Sequence, residues 1–542
     1  MTLAPAEAPA PPVDASPGAW APLRRPTFRA IWLGGLASNV GTWMQNVGAA
    51  WLMTSLAPTP LLVALVQAAS SFPSFLLAIP AGALADVVDR RRLLLGSLAW
   101  LTASSALLTA LAFADLVTPS ALLALTFAIG VGSALVAPAL LAVVPELVPR
   151  EEIPSAVSLN GISMNLARAA GPALGGATVA AAGVGAAFLA NALSYTGVIA
   201  AIARWRRPPR EGRLPPEDLL GAMRAGLRYV RHSPPLQLVL VRVAVFVLPG
   251  SAVWALLPLY AREQLALGPA GYGLLLGFFG AGAVTAGVAL PTLRAALGAQ
   301  RLTTVSALGF AAALLALGAA PSLPVAAPAL AVAGAGWLAL LTTLSAAAQL
   351  VLPAWVRARG LSVYLLVLMG GMALGSAAWG AGAESLGVPR AFELAGAAVA
   401  LSRLFVWRLR LPDGPGPDLA PAPRWPDPEL GIAVDAERGP VLVTVAYEVD
   451  PADADDFARA MRALGRIRRR DGALRWGLWA DTARPGIYLE SFVVESWLEH
   501  LRQHERMTAA DRAAQAQARA YHRGAAEPRV THYIHERFPD EG

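Results

Sequence analysis

The sequence lacks two residue types entirely, cysteine and lysine. The absence of Cys excludes disulfide bonds and thiolate metal sites. The absence of Lys makes every basic residue an Arg, and it excludes the Gly-rich phosphate loop of ATP-driven proteins, which requires a Lys. Charges are also scarce, at 15% of the chain against about a quarter in soluble proteins. Much of the chain is therefore expected to face an apolar environment.

Long apolar runs fill most of the chain. Hydrophobic residues make up 56% of the 542 residues, and the mean hydropathy is +0.52. Between Ile31 and Arg408 these runs repeatedly reach the ~20 residues that a helix needs to cross a bilayer. The pattern predicts an all-α polytopic membrane protein with about twelve transmembrane helices, six in residues 23–203 and six in residues 236–410.

The remaining segments have a different composition. Residues 1–22 are rich in Ala and Pro, have no signal-peptide pattern and are predicted to be a disordered tail. Residues 411–437 are rich in Pro and are predicted to be a linker. From Val441 onward, apolar residues alternate as in a strand, and the order β-α-β-β-α-β predicts that residues 438–542 form an α+β ferredoxin-like domain.

Arginine is distributed on one side of the predicted membrane region. Residues 438–542 contain equal numbers of basic and acidic residues, so the net charge of +7 belongs to the membrane region and its loops. The Arg-rich loops alternate along the chain with loops that have almost none. The positive-inside rule predicts that both termini lie on the cytoplasmic side of the membrane. A nucleic-acid partner is not needed to explain the charge.

Residues 204–235 are predicted to be a cytoplasmic central loop. The segment from Pro216 to Arg231 has apolar residues at helical spacing. Two interpretations stay open, an amphipathic helix on the membrane face and a solvated linker helix.

The strongest motif is the charged loop from Gly82 to Arg92, which follows the second predicted span. It resembles the signature loop of the major facilitator superfamily, although Val87 and Asp89 depart from that pattern. A Gly permits close helix approach, and an Asp can meet the N-terminal end of another helix. The resemblance implies a gating role; an ordinary charged loop that orients the helices is the alternative. The gating-loop residues are Gly82, Asp86, Asp89, Arg90 and Arg91.

The fifth predicted span contains a second motif, from Arg168 to Gly176. It resembles the Gly-Pro motif of exporters in the same superfamily. Pro bends a helix and Gly lets a neighbour pack closely, so the motif predicts a bend that opens or seals a pathway. Plain helix packing is the alternative. An Arg within a span usually faces a cavity or a partner. The motif residues are Arg168, Gly171, Pro172, Gly175 and Gly176.

Polar residues inside the spans are candidates for a substrate pathway. Interhelical hydrogen bonding is the alternative for each of them, and Arg242 lies near enough to a span end to reach the interface. No Asp or Glu lies in the middle of the first span, so coupling to protons is implied by resemblance alone. The candidates are Asn39, Trp43, Asn46, Gln67, Asn165, Asn191 and Arg242.

Family resemblance covers nearly the whole chain. The run from Pro145 to Arg150 resembles the branch that includes bacterial enterobactin exporters, and so do Asn39, Trp43, Asn160, Asn165, Gly171 and Pro172. The run from Ser496 to Arg506 is similar to a C-terminal tail found on some members, and the fold of that tail resembles antibiotic-biosynthesis monooxygenases, which are small dimers. The resemblance implies a secondary exporter of a siderophore, drug or other metabolite, with self-association through the C-terminal domain. A membrane-anchored enzyme and a ligand sensor are the alternatives, but a dozen spans exceed what an anchor needs.

No cofactor or metal is expected. His500 and His504 have the i, i+4 spacing of metal ligands, but no general-base Glu lies between them. Neighbouring charges favour surface ion pairs there. The expected partners are a small-molecule substrate and the lipid bilayer.

Overall fold

The structure is a computed structural model that describes residues 18–57, 59–205, 219–411, 418–422 and 434–536. A bundle of long helices precedes a small α+β unit. The helices before that unit are α1 (Pro26–Leu56), α2 (Pro60–Val87), α3 (Arg90–Phe113), α4 (Pro119–Leu147), α5 (Ile153–Arg204), α6 (Leu219–Arg231), α7 (Pro234–Gly250), α8 (Ala252–Leu259), α9 (Pro269–Ala319), α10 (Leu323–Leu350), α11 (Arg357–Leu386) and α12 (Val388–Val406).

Eight helical stretches of the described chain are long and apolar enough to cross a membrane. One of them joins α7 and α8 to a π-helical turn at Tyr260–Gln264. The predicted polytopic helical class is therefore confirmed.

Two of these stretches contain a break. α5 has 52 residues and leaves helical geometry at Gly183, where φ is 79°; α9 has 51 residues and does so at Gly298, where φ is 71°. Such positive φ values suit glycine. Before its break α5 runs parallel to α1, with Gly171 against Trp43 and Gly175 against Met44. After the break it runs antiparallel to α1, with Asn191 against Gly41 and Val198 against Gly34. The chain therefore reverses direction at Gly183.

The C-terminal unit is a four-stranded antiparallel sheet with helices on one face. Strand order is β2-β3-β1-β4. Strand β1 buries Val443, Val445 and Tyr447. Val445 and Tyr447 pack against Phe457 and Met461. The elements are β1 (Val441–Glu448), α13 (Ala454–Asp471), β2 (Arg475–Ala480), β3 (Ile487–Val494), α14 (Trp497–Arg506), α15 (Ala509–Arg519) and β4 (Arg529–Ile534).

The second α segment of the predicted β-α-β-β-α-β order consists of two helices, α14 and α15. It breaks at Met507 because Thr508 caps α15, accepting from the Asp511 amide while the Asp511 carboxylate accepts from the Thr508 amide. Residues 418–422 pair with this break, and the Ala422 amide donates to the Met507 carbonyl. Part of the predicted linker thus lies against the C-terminal unit.

Helix α6 lies between the bundle and the C-terminal unit. The buried side chains of Ala225 and Tyr229 face protein, and the Tyr229 hydroxyl donates to the Val351 carbonyl at 2.8 Å in the loop between α10 and α11. Arg228 donates to the Glu499 carboxylate of α14 at 2.9 Å. The helix therefore packs against two protein surfaces, an arrangement that neither sequence interpretation included.

Candidate functional site: a cavity between the two halves

A cavity of about 570 Å³ lies at the centre of the bundle. Its walls come from α1, α2, α4 and α5 in the first half and from α8, α9, α10 and α11 in the second. Volumes of this size hold drug-sized molecules. The polar lining residues are Thr42, Gln45, Asn46, Gln67, Ser70, Ser71, Ser74, Thr126, Ser133, Arg168, Thr342 and Ser345.

Arg168 carries the one charge among the described residues that line the cavity. Its side chain makes no hydrogen bond or ion pair with any residue in the described part of the chain. The sequence placed Arg168 in the helix-bend motif of α5; the structure places it on the cavity wall as well. A polar side chain of this kind can hold a ligand group in a fixed orientation.

Aromatic and aliphatic side chains from both halves form the rest of the wall. The rings of Trp43 and Trp254 lie 5.9 Å apart, and Trp254 makes an edge contact with Trp337 at 5.9 Å. Tyr364 donates its hydroxyl to the Leu341 carbonyl at 3.1 Å. The cavity therefore combines flat apolar surfaces with uncharged hydrogen-bonding groups.

The two halves meet at the end of the bundle away from the C-terminal unit. Gly176 lies against Gly273: a Cβ on Gly176 would be 2.8 Å from the Gly273 Cα. Beyond it, Arg262 donates to the hydroxyls of Thr54 at 3.0 Å and Ser55 at 2.8 Å. These contacts close that end of the cavity.

Three of the predicted pathway residues line the cavity, namely Trp43, Asn46 and Gln67. Gln67 also donates to the Ser71 hydroxyl at 2.8 Å, one turn along α2. These residues share the cavity wall with Arg168.

The other candidates lie elsewhere. Asn39 donates to Ser163 at 3.4 Å between α1 and α5, and Asn165 is exposed outside the cavity lining. Asn191 is fully buried and bonds to Gln45 and Tyr195. For Asn39 and Asn191 the structure shows the interhelical hydrogen bonds that were the alternative interpretation.

Arg242 is also outside the cavity. It is 1% exposed and donates to the Gln300 side chain at 2.7 Å and to the Leu409 carbonyl. It thus joins α7 to the start of the second part of α9 and to the chain after α12. Its contacts hold helix ends together.

The helix-bend motif makes close contacts on two sides of α5. A Cβ on Gly171 would lie 2.5 Å from the Trp43 Cβ, and one on Gly175 would lie 2.8 Å from the Met44 Cα. Gly176 faces α9. Pro172 lies within the helix, whereas the backbone leaves helical geometry further along, at Gly183. The small residues thus place α5 directly against α1 and α9.

The predicted gating loop is held at the C-terminal-unit end of the bundle. Asp89 caps α3 by accepting from the Arg92 amide at 2.9 Å. Arg90 is 7% exposed and pairs with Glu146 of α4 at 2.8 Å, and Arg91 donates to carbonyls at the end of α5. Gly82 and Asp86 belong to the last turns of α2, and their surroundings lie outside what the structure describes.

Several lining residues were missed by sequence reasoning. Trp254 and Trp337 looked like ordinary apolar span residues. Ser70, Ser71 and Ser74 form a hydroxyl-rich stretch within an apolar span, and that stretch was the available signal. Hydroxyls are easily overlooked because a Ser side chain can donate its hydrogen bond to a carbonyl of its own helix.

Two histidines of the C-terminal unit lie close together. The Nε2 atoms of His500 and His532 are 3.0 Å apart, and His500 is 2% exposed. Burial, with the neighbouring His504, His532 and Arg468, lowers the pKa of His500 to about 3. Within the described residues, no group of three or more His, Asp or Glu side chains could hold a metal ion.

A helical bundle in two parts around a central cavity is the architecture of multi-pass membrane transporters. Solved transporters share this fold at low identity. A peptide-transporter-family (POT) protein in complex with 5-aminolevulinic acid matches with a TM-score of 0.59 and 12% identity over 70% of this chain and 95% of that chain. A bacterial homologue of the iron transporter ferroportin in an inward-facing state matches at 0.56 and 18% over 71% and 98%. An inward-facing, unoccupied bacterial homologue of the human lysosomal transporter Spinster matches at 0.54 and 15% over 72% and 95%.

The family is shown by the sequence. The transmembrane secretion effector family matches residues 17–539, so the chain belongs to that family of the major facilitator type. A curated relative, the staphyloferrin A transporter of Staphylococcus aureus (strain NCTC 8325 / PS 47), is 27% identical over 157 residues. That match spans 29% of this chain and 40% of the relative.

Proposed function

We propose that the protein is a secondary active transporter that exports a small molecule across the bacterial cytoplasmic membrane by alternating access. The observation that carries the proposal is the central cavity, which both halves line and which inter-half contacts close at one end. A site between two repeats of six helices is the usual arrangement in such transporters. The breaks at Gly183 and Gly298 support a count of twelve, because each long helix then supplies two spans.

The proposed orientation places both termini and the C-terminal unit in the cytoplasm. The Arg-rich loops support it. In this orientation the contact between Gly176 and Gly273 closes the outer end, and the cavity serves the cytoplasmic side. A gradient, and not ATP, would drive export, because the chain has no Lys for a phosphate loop.

The substrate class is a siderophore, a drug or another metabolite. A siderophore is the favoured substrate because part of this chain matches the staphyloferrin A transporter. The size of the cavity and its mixture of aromatic and hydroxyl groups fit a drug-sized organic molecule.

We propose that the C-terminal unit is a ferredoxin-like domain that self-associates and is not catalytic. Its strand order and its antiparallel pairing support the fold. The sheet face away from the helices exposes Leu442, Trp479, Leu489 and Tyr533, one from each strand. Exposed apolar patches of this kind commonly mark a contact surface.

Export can be tested by comparing intracellular and extracellular metabolites in strains with and without the gene. Accumulation of a compound inside the deletion strain, reversed by the full chain, is the expected result. A compound that instead enters cells only when the gene is present would contradict the export direction. Equal distributions of all compounds in both strains would contradict transport.

A further inference from the structure

We propose that Arg168 binds an anionic group of the transported molecule, so that the cargo is an organic anion bearing a carboxylate or a comparable oxyanion. The inference rests on the proposed function, because it concerns the cargo of the same cavity.

The first step is the charge balance of the cavity. Arg168 contributes a cation, and the other described lining residues contribute hydroxyls, amides and apolar groups but no carboxylate. A cation within a membrane-spanning helix is costly and usually pairs with an acidic side chain or with backbone carbonyls. The described part of the chain supplies no such partner to Arg168. A bound anion would supply it.

The second step is the position of Arg168. Its neighbour Ala169 touches α9: a Cβ on Gly280 would lie 3.0 Å from the Ala169 Cα and 3.3 Å from the Arg168 carbonyl oxygen. The backbone that carries the guanidinium is thus fixed where the two halves meet. A guanidinium offers a planar fork of donors that matches a carboxylate through two parallel hydrogen bonds. An anion held there would contact the junction between the halves.

The third step concerns the rest of the cargo. Trp43, Trp254 and Trp337 line the same cavity and offer flat apolar surfaces. An inorganic ion would leave these surfaces and most of the 570 Å³ unused. The cargo therefore has an apolar or planar body in addition to its anionic group.

The experiment uses the full chain in a strain that lacks the chromosomal gene. Spent media are compared by untargeted mass spectrometry after complementation with wild type, Arg168→Gln, Arg168→Lys or the control Arg29→Gln, at matched membrane levels. Arg29 is an exposed residue of α1. Compounds whose export needs the gene are then passed over an anion-exchange resin at neutral pH. We expect them to bind the resin.

The variants report on the contact itself. Arg168→Gln should reduce export of these compounds roughly tenfold or more, because a hydrogen bond to a charged group is lost. Arg168→Lys should retain part of the activity, since it keeps the charge but not the planar fork. Arg29→Gln should export as the wild type does.

The outcomes separate the two proposals. If no compound depends on the gene, the proposed export function fails. If a compound depends on the gene but is neutral or cationic, or if Arg168→Gln exports it normally, the anion inference fails while transport stands. Should Arg168→Gln not reach the membrane, the charge of the compound exported by the wild type still decides.

Discussion

The arginines of two regions differ in their protein partners. The regions are the central cavity and the surface where the C-terminal unit meets the bundle. In the cavity, Arg168 has no protein partner among the described residues. At the docking surface, formed by α6, the α10–α11 loop, α13 and α14, the arginines have carboxylate partners and aromatic neighbours. Glu499 accepts from Arg228 at 2.9 Å and from Arg506 at 2.6 Å. Arg506 also lies 4.9 Å from the centre of the Trp355 ring.

Paired arginines hold structural elements together, whereas we propose that Arg168 binds a ligand. A paired and partly buried charge fixes two elements relative to each other, because removal of one partner leaves the other without compensation. An unpaired charge in an apolar environment lacks a compensating partner. In a cavity, a ligand can supply one. Arg470 illustrates the first case, since it bonds to Asp471 at 2.8 Å and to Asp511 at 2.7 Å.

The largest expected effect comes from separating the helices that carry the cavity wall. In Gly175→Leu, the new Cβ would lie 2.8 Å from the Met44 Cα of α1, and backbone cannot move aside as a side chain can. Overpacking of this kind should cost about 3 kcal/mol or more and should abolish most export. Pro172→Ala should have a smaller effect. Thermal unfolding and export are the measurements.

Gly161→Leu is the matched control, because nothing lies within 4 Å of a Cβ at that position of the same helix. If both leucine variants export equally well, close packing of α5 against α1 is not needed for transport.

The docking surface should weaken when its shared carboxylate is neutralised. Glu499→Gln removes the carboxylate that Arg228 and Arg506 share, at a cost of about 2 to 3 kcal/mol to docking. We expect faster hydrogen exchange in α6 and α14 of the full-length protein. Arg224→Gln should change nothing measurable, because its pair with Glu495 is 3.9 Å long and both side chains are mostly exposed. Equal exchange in the two variants would remove Glu499 from the docking contact.

Sequence periodicity predicted the helical bundle and the strands of the C-terminal unit, because both depend on local apolar patterns. Val441, Val443 and Val445 alternate in the sequence and are buried in the structure. The motif glycines were also informative: Gly171 and Gly175 make the close contacts that their type implied. These features need only the residue and its immediate neighbours.

The cavity wall was less predictable, because it depends on which face of each helix turns inward. Asn46 and Asn191 looked alike in the sequence, yet Asn46 lines the cavity and Asn191 is fully buried beside Gln45. Arg168 and Arg242 are both arginines within predicted spans, but Arg242 has carbonyl and amide partners and Arg168 has none in the described chain. These differences arise from contacts with residues that are distant in sequence.

If Arg168 carries an anion, export should respond to the membrane potential. Moving one negative charge out of a cell whose interior is negative gains about 2.3 kcal/mol per 100 mV, which is roughly 50-fold in the accumulation ratio. We expect efflux of the compound retained by the deletion strain to follow a potassium diffusion potential in proteoliposomes without any pH gradient. Efflux that ignores the potential but follows a pH gradient would favour proton coupling.

The smallest effect should appear in the C-terminal unit as the pH falls. Burial lowers the pKa of His500 from 6.5 to about 3, so the folded unit keeps this ring neutral where the unfolded chain would protonate it. The stability that depends on neutral His500 is complete above pH 6.5 and is lost as the pH falls towards 3. At pH 5 the loss should be about 2 kcal/mol.

Hydrogen exchange of β1 and β4 in the full-length protein, corrected for intrinsic rates, measures this loss of stability at pH 7 and pH 5. His500→Gln should remove most of this pH dependence, whereas substitution of the exposed His535 by Gln should preserve it. An unchanged pH dependence in His500→Gln would assign the effect to another group, with His532, whose pKa burial also lowers, the next to replace.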